Sequence, residues 1–237
     1  MINSVKVKYL GHSTFMFESP VGKTVLVEAW VESNPACPEA DKELPPIDIM
    51  LITHGHSDHV SDAVEIARKH KPKIVCCYEL GAWLTGKGVE NITAMNKGGS
   101  VFLEGIRITM VDAKHSGGFI EEDGSIIYLG SAAGFILQFE NNLRVYYAGD
   151  TCVFGDMALI REIYQPRIAF LPIGDLFTMG PEEASHAVRL VLPATVIPMH
   201  YGTFPILTGT PSQLRPLLPS GVKLLDLNPG ESCMLEN

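Results

Sequence analysis

An α/β fold is predicted for this sequence by three observations. Short apolar runs recur from the start of the chain, and from residue 49 onward they alternate with stretches of helical period. Several of those runs stop abruptly at a polar, metal-competent side chain, the arrangement α/β folds use to gather a site at strand ends. No low-complexity segment or linker divides the 237 residues, so residues 1–237 are read as one domain, or as one domain with an internal duplication.

The elements follow in order. Val5–Tyr9, Thr14–Glu18 and Thr24–Ala29 are predicted strands, separated by Gly11 and by the Pro20-Val21-Gly22 turn. Residues 31–46 hold Pro35, Pro38, Pro45 and Pro46 and are predicted to be a loop. Ile49–Thr53 is a buried strand, and Ser61 is placed to cap a helix over Asp62–His70 with the apolar stripe Ala63, Ile66 and Ala67. Further strands are predicted at Ile74–Tyr78, Val101–Leu103, Ile106–Val111, Gly134–Phe139 and Arg144–Ala148, with Asn141-Asn142 as a hairpin turn. Helices are predicted at Asp156–Tyr164 and at Pro181–Leu192, where Pro181 suits the first helical position and Glu182 and Glu183 suit the dipole. Ile168–Pro172, Thr195–Met199 and Val222–Leu227 complete the strands.

Composition narrows the function. The formal net charge of -9, from 18 Lys+Arg against 27 Asp+Glu, argues against an extended phosphate-tracking surface, so nucleic acid is not an expected partner. A small anionic substrate remains compatible, because a bound metal can override the global field. Cys37, Cys76, Cys77, Cys152 and Cys233 form no repeated spacing and no disulfide framework. Residues 1–9 lack the apolar centre of a signal peptide, and no run reaches the ~18 apolar residues of a membrane helix. A cytoplasmic location is the expectation, with self-association left open.

The chemistry is concentrated in Thr53-His54-Gly55-His56-Ser57-Asp58-His59, directly after the apolar Ile49-Met50-Leu51-Ile52. Alternate side chains of an extended chain share a face, so His54 and His56 can converge on one ion, and past a turn Asp58 and His59 can face a second. Three other predicted strands end in a candidate ligand: His115 after Ile106–Val111, Asp150 after Arg144–Ala148, and His200 after Thr195–Met199. Each is weak alone, since a lone His or Asp at a strand end is commonly a turn residue. Together with the cluster they supply what two ions need.

His54-x-His56-x-Asp58-His59, followed in order by His115, Asp150 and His200, resembles the five-motif signature of the metallo-β-lactamase superfamily. Tyr9-Leu10-Gly11-His12-Ser13-Thr14-Phe15, Ala148-Gly149-Asp150-Thr151, the segment 174–181 and Met199-His200-Tyr201-Gly202-Thr203-Phe204 resemble its metal-dependent hydrolase branch near the L-ascorbate-6-phosphate lactonases. The resemblance implies a four-layer αββα sandwich with the site at one edge of two sheets. It implies His54, His56 and His115 on a first metal, Asp58, His59 and His200 on a second, and Asp150 bridging both. The branch commonly ends its third strand in Asp-Pro; Val27-Glu28-Ala29 departs from that, and weaker support for one metal is the expectation. There is no ligand cysteine among the motifs, and Cys152 is expected to be structural.

These residues permit a dinuclear hydrolase. A bridging water acidified by two ions gives hydroxide near neutral pH, oriented by Asp58 towards a carbonyl or phosphorus centre. Two divalent ions, two carboxylates and one hydroxide leave that shell at roughly +1, which favours a small anionic ester, lactone or phosphoester. The nitrogen and oxygen donors point to zinc first, with manganese or iron as alternatives. His12 is a candidate either for supporting a ligand or donating a proton, or for a buried structural role. His70 and His186 are expected to be solvated helical residues. Phosphodiesterase or nuclease activity on the same fold, and a non-catalytic metal-binding protein, are the competing readings.

Overall fold

Alternation in Val5-Lys6-Val7-Lys8-Tyr9 sends Val5, Val7 and Tyr9 into the core and turns the lysines outward. The computed structural model describes residues 4–237 and shows that pattern as the first strand. The chain runs through β1 (Val5–Gly11), β2 (Thr14–Glu18), β3 (Thr24–Val27), β4 (Ile49–Leu51), α1 (Ser57–Val60), α2 (Ala63–His70), β5 (Lys73–Cys77), α3 (Tyr78–Gly86) and β6 (Ile92–Met95). It continues through β7 (Ser100–Leu103), β8 (Ile106–Asp112), β9 (Gly118–Ile120), β10 (Ile126–Tyr128), β11 (Ala133–Gln138) and β12 (Arg144–Tyr147). Then follow α4 (Met157–Tyr164), β13 (Ile168–Pro172), α5 (Pro181–Val191), β14 (Thr195–Met199), α6 (Pro211–Leu214), β15 (Lys223–Leu224) and β16 (Ser232–Leu235).

Two seven-stranded sheets result, ordered β16-β1-β2-β3-β4-β5-β6 and β15-β14-β13-β12-β11-β8-β7. Each sheet has an antiparallel half and a parallel half, the change falling at β3 in the first and at β12 in the second. Parallel strands need crossovers, and helices supply them: α3 packs on β5 and β6, while α5 packs on β13 and against α4. The sheets meet through aromatic side chains. Phe15 and Phe17 of β2 stand edge-on to Phe170 of β13, with centroids 4.8 and 5.4 Å apart. Each such buried ring contributes on the order of 2–3 kcal/mol by burial alone. This is the αββα metallo-β-lactamase sandwich the resemblance implies.

Several elements differ from expectation. β3 stops at Val27 because Glu28 turns into the left-handed region at φ 66°. Ser61 does not cap a helix; it closes α1, and α2 starts at Ala63. Asp62 makes no cap bond either, and instead accepts from the backbone N–H of Val31 and the hydroxyl of Ser33, pinning the proline-rich loop. Tyr78 opens α3 rather than ending a strand. β6, β9, β10, α6 and β16 lie where no element is predicted, and the strand predicted at Val222–Leu227 shrinks to β15. All five cysteines are free, and Cys152 is exposed, which removes a buried structural role for it. Among the described residues, no helix is long and apolar enough to cross a membrane.

Candidate metal centre

Every predicted site residue lies at one edge where the carboxyl ends of strands from both sheets meet. His12 sits in the β1–β2 turn, and His54 and His56 follow β4. Asp58 and His59 lie in α1, while His115 follows β8, Asp150 follows β12 and His200 follows β14. The backbone there is tightly constrained. Gly55, between the first two histidines, must be glycine because a Cβ would stand 2.6 Å from the Leu129 side chain. His12 and His200 hold left-handed conformations at φ 58° and 55°, uncommon for residues with a Cβ and typical of over-determined functional sites. The His200 N–H donates to the His12 carbonyl at 2.8 Å, locking one turn to the other across the sheets.

His54, His56 and His115 form one group. His54 Nε2 lies 3.0 Å from His56 Nδ1, and His115 Nε2 lies 3.2 Å from that same atom. Their far nitrogens fix what faces inward. The Thr53 hydroxyl donates to Glu28 Oε1 at 2.6 Å and therefore accepts from His54 Nδ1–H at 2.9 Å. Ser116 Oγ stands 3.2 Å from His56 Nε2. The His54 Nε2 lone pair is thus left bare on the side that faces His56. Burial holds His54 well below the usual imidazole range and lowers His56 and His115, so all three are neutral, the form that binds metal.

Asp58, His59 and His200, with His12 beside them, form the second group. Asp58 Oδ2 lies 2.9 Å from His12 Nε2, 3.6 Å from His200 Nε2 and 3.7 Å from His59 Nε2. Burial alone would raise Asp58, but His59, His12 and His200 outweigh it and hold the carboxyl well below its usual range. Burial lowers and the carboxylates raise the two histidines: Asp150, Glu28 and Asp58 hold His59 high, and Asp150 with Asp58 pushes His200 up to about 9. Asp150 stands between the groups. Its Oδ2 is 3.0 Å from His200 Nε2, 3.3 Å from His59 Nε2, 3.7 Å from His115 Nε2 and 3.9 Å from His54 Nε2.

The donor set fits divalent cations. Asp150 Oδ1 and His59 Nε2 are buried without a hydrogen-bond partner among the described residues, an expensive arrangement that a cation held between the groups relieves. His54 Nε2 and His115 Nε2, within 3.2 Å of His56 Nδ1, fit the same kind of ion.

Glu28, where the branch commonly has Asp, reaches both groups. Its extra methylene lets one carboxylate accept from the Thr53 N–H and hydroxyl and also stand 3.2 Å from His59 Nδ1, in ion-pair contact though off the line of a hydrogen bond. One buried side chain therefore braces a ligand in each group. Thr53 and Ser116, which sequence reading left without a role, are the hydroxyls that orient His54 and His56; their signal was adjacency to a ligand. Asn34, in the proline-rich loop, donates to the carbonyls of Gly11 and Trp30 at 3.2 Å each and shapes the turn that carries His12. His70 is half-buried and His186 exposed, both outside the site.

Comparison with known proteins finds relatives that span nearly the whole chain. The Beta-lactamase superfamily domain matches residues 23–201. A UPF0173 metal-dependent hydrolase of Koribacter versatilis is 48% identical over 231 residues, covering 98% of each chain. One from Solibacter usitatus is 47% identical over 211 residues, covering 89% of this chain and 91% of that one. Among solved structures, Igni18, a metallo hydrolase from Ignicoccus hospitalis, superposes with a TM-score of 0.87 at 34% identity, covering 99% of both chains.

Proposed function

The chain belongs to the β-lactamase superfamily and is a metal-dependent hydrolase of it, and from that premise we propose that it holds two divalent ions and hydrolyses a small ester, lactone or phosphoester. The whole of residues 1–237 acts as one domain in this reading. The observation that carries it is Asp150, one buried carboxylate oxygen within 3.0–3.9 Å of histidines from both groups. His54, His56 and His115 would hold one ion, Asp58, His59 and His200 the other, and Asp150 would touch both. Zinc suits these nitrogen and oxygen donors best, with manganese or iron as alternatives. Divalent ions bound there supply Lewis acidity, which acidifies water near neutral pH and polarises the bond to be cut.

The protein's own groups position the reaction. Asp58, half-exposed at the mouth and held ionised, accepts a hydrogen bond from the attacking water and aims its lone pair at the substrate. His12 keeps Asp58 in place. Burial pushes His12 down to about 4 against the pull of Asp58, so the ring is neutral. An ionised carboxylate only accepts, so His12 Nε2–H donates to Asp58, leaving Nδ1 to accept from the Thr203 hydroxyl at 2.9 Å. His12 is thus a positioning residue rather than a proton donor. The acidic balance of the chain favours a small substrate over nucleic acid.

Elemental analysis of purified protein, with Asp58→Ala beside it, tests the reading. About two equivalents per chain and a folded variant without turnover on esters, lactones or phosphodiesters are expected. Full turnover by the variant, or one equivalent at most in the parent chain, would sink the dinuclear mechanism.

A further inference from the structure

We propose that the metal centre opens onto an apolar subsite built by the loops after β13 and β14, so that the substrate carries an alkyl or aryl substituent beside the bond that is cut. This rests on the hydrolase reading above and adds the substrate class. The two loops flank the site directly. Met179 N–H donates to the carbonyl of Thr151, the residue after Asp150, at 3.2 Å. Gly209 N–H donates to Gly174 O at 3.2 Å, joining one loop to the other, and Gly174 leaves no space for a Cβ against the His200 carbonyl.

Both loops turn large apolar side chains to solvent. Leu176 is 58% exposed, Phe177 57%, Phe204 38% and Ile206 55%, while Asp175 is the one charged residue in 174–180 and 201–209. Phe204 has the clearest position. Its ring lies 5.9 Å from the His12 ring and 6.1 Å from the buried Trp30, tilted 31° to the indole. Because His12 holds Asp58, Phe204 stands one side chain away from the group that aims the attack. Asp175 and Leu176 hold consecutive left-handed conformations at φ 68° and 53°. Such strain persists only where the surroundings impose it. Leu176 and Phe177 in that turn are exposed. A polar, charge-dense centre flanked by loops with exposed apolar side chains matches a polar scissile group carrying an apolar substituent.

Straight-chain carboxylates from acetate to octanoate, titrated into zinc-loaded full-length protein, test this without any need for turnover. Calorimetry and tryptophan fluorescence, in which Trp30 reports on the subsite, give Kd. Each methylene that reaches the rim should tighten binding about three- to four-fold. Phe204→Ala and Phe177→Ala should flatten that dependence, whereas Ile163→Ala, an exposed apolar residue on α4, should leave it intact. Equal affinity for acetate and octanoate overturns the inference and leaves the hydrolase reading standing, as does absence of binding at every length by protein that retains its metal. A length-independent Kd accompanied by a fall in mass by light scattering in the phenylalanine variants would show the rim to be a contact between copies of the chain. Protein that takes up no metal and binds no carboxylate would remove the hydrolase reading itself, and the subsite with it.

Discussion

The two histidines after β4 lie against hydroxyls, whereas those of α1 and after β14 are gripped by carboxylates. Thr53 accepts from His54 Nδ1–H, Ser116 Oγ stands 3.2 Å from His56 Nε2, and burial keeps both rings neutral. His59 and His200 instead lie against Asp150, Asp58 and Glu28, whose charge keeps protons on them until a cation replaces those protons. Two groups of similar ligand types are therefore unequal in readiness. The first can take an ion without shedding a proton, and the second must exchange protons for metal.

Asp150 is the part both groups share, so the largest effect is expected there. Asp150→Ala should reduce bound metal below one equivalent and activity on the order of 10³-fold or more, measured by elemental analysis and turnover. His200→Ala should retain about one equivalent in the histidine-only group. Loss of both ions from His200→Ala would break the distinction between the groups.

Glu28 spans the comparison from behind, bracing His54 through Thr53 and His59 by ion-pair contact. Removal of such a supporting carboxylate lowers metal affinity about 10–100-fold. Glu28→Gln should weaken both equivalents in a chelator competition, because each group loses its brace. Glu28→Asp, shorter by one methylene, cannot span Thr53 and His59 together and should weaken one equivalent more than the other. Unchanged affinity in both variants would remove Glu28 from the centre.

How far the sequence foretold this centre depends on how local each signal is. The ligands were legible because each follows an apolar run, and strands with exposed ends announce themselves in a single window. The pairing of two sheets was not, because it depends on contacts such as Phe15 with Phe170 that no local pattern encodes. The resemblance supplied it. Ser61 failed as a cap because Asp62 serves a distant loop, a tertiary contact that overrides a local preference. β16 was missed for a similar reason: Ser232–Leu235 is a strand because β1 offers it an edge. The same limit applies to Glu28, whose contacts with Thr53 and His59 on either side are encoded by no local pattern.

The comparison also has a pH signature. His200 is raised from its ordinary 6.5 to about 9 by Asp150 and Asp58, against the effect of burial. A group raised in the folded state contributes stability that is fully present below its unfolded pKa and lost as pH climbs through the folded one. Metal-free protein should therefore lose thermal stability between about pH 6.5 and 9, while metal-loaded protein should not. Calorimetric titration in buffers of different ionisation enthalpy should find proton release at pH 7 on binding the second equivalent and little on the first. Release confined to the first equivalent would reverse the order of readiness argued above.

The smallest effect separates the hydroxyls that serve the two groups. Thr203 donates to His12 Nδ1 and touches no ligand, so Thr203→Val removes only the bond that keeps His12 Nε2–H on Asp58. A lost neutral hydrogen bond is worth about 0.5–1.5 kcal/mol, which corresponds to a few-fold to about tenfold in kcat. Metal content should not change. Thr53→Val is the same substitution on the other side, yet it cuts a bond to His54 and the hydroxyl bond to Glu28, leaving only the backbone N–H on that carboxylate. Its loss should appear first in metal affinity and only through that in turnover. If both variants lowered metal content alike, the hydroxyl at Thr203 would be bracing a ligand too, and His12 would belong to the second metal rather than to Asp58.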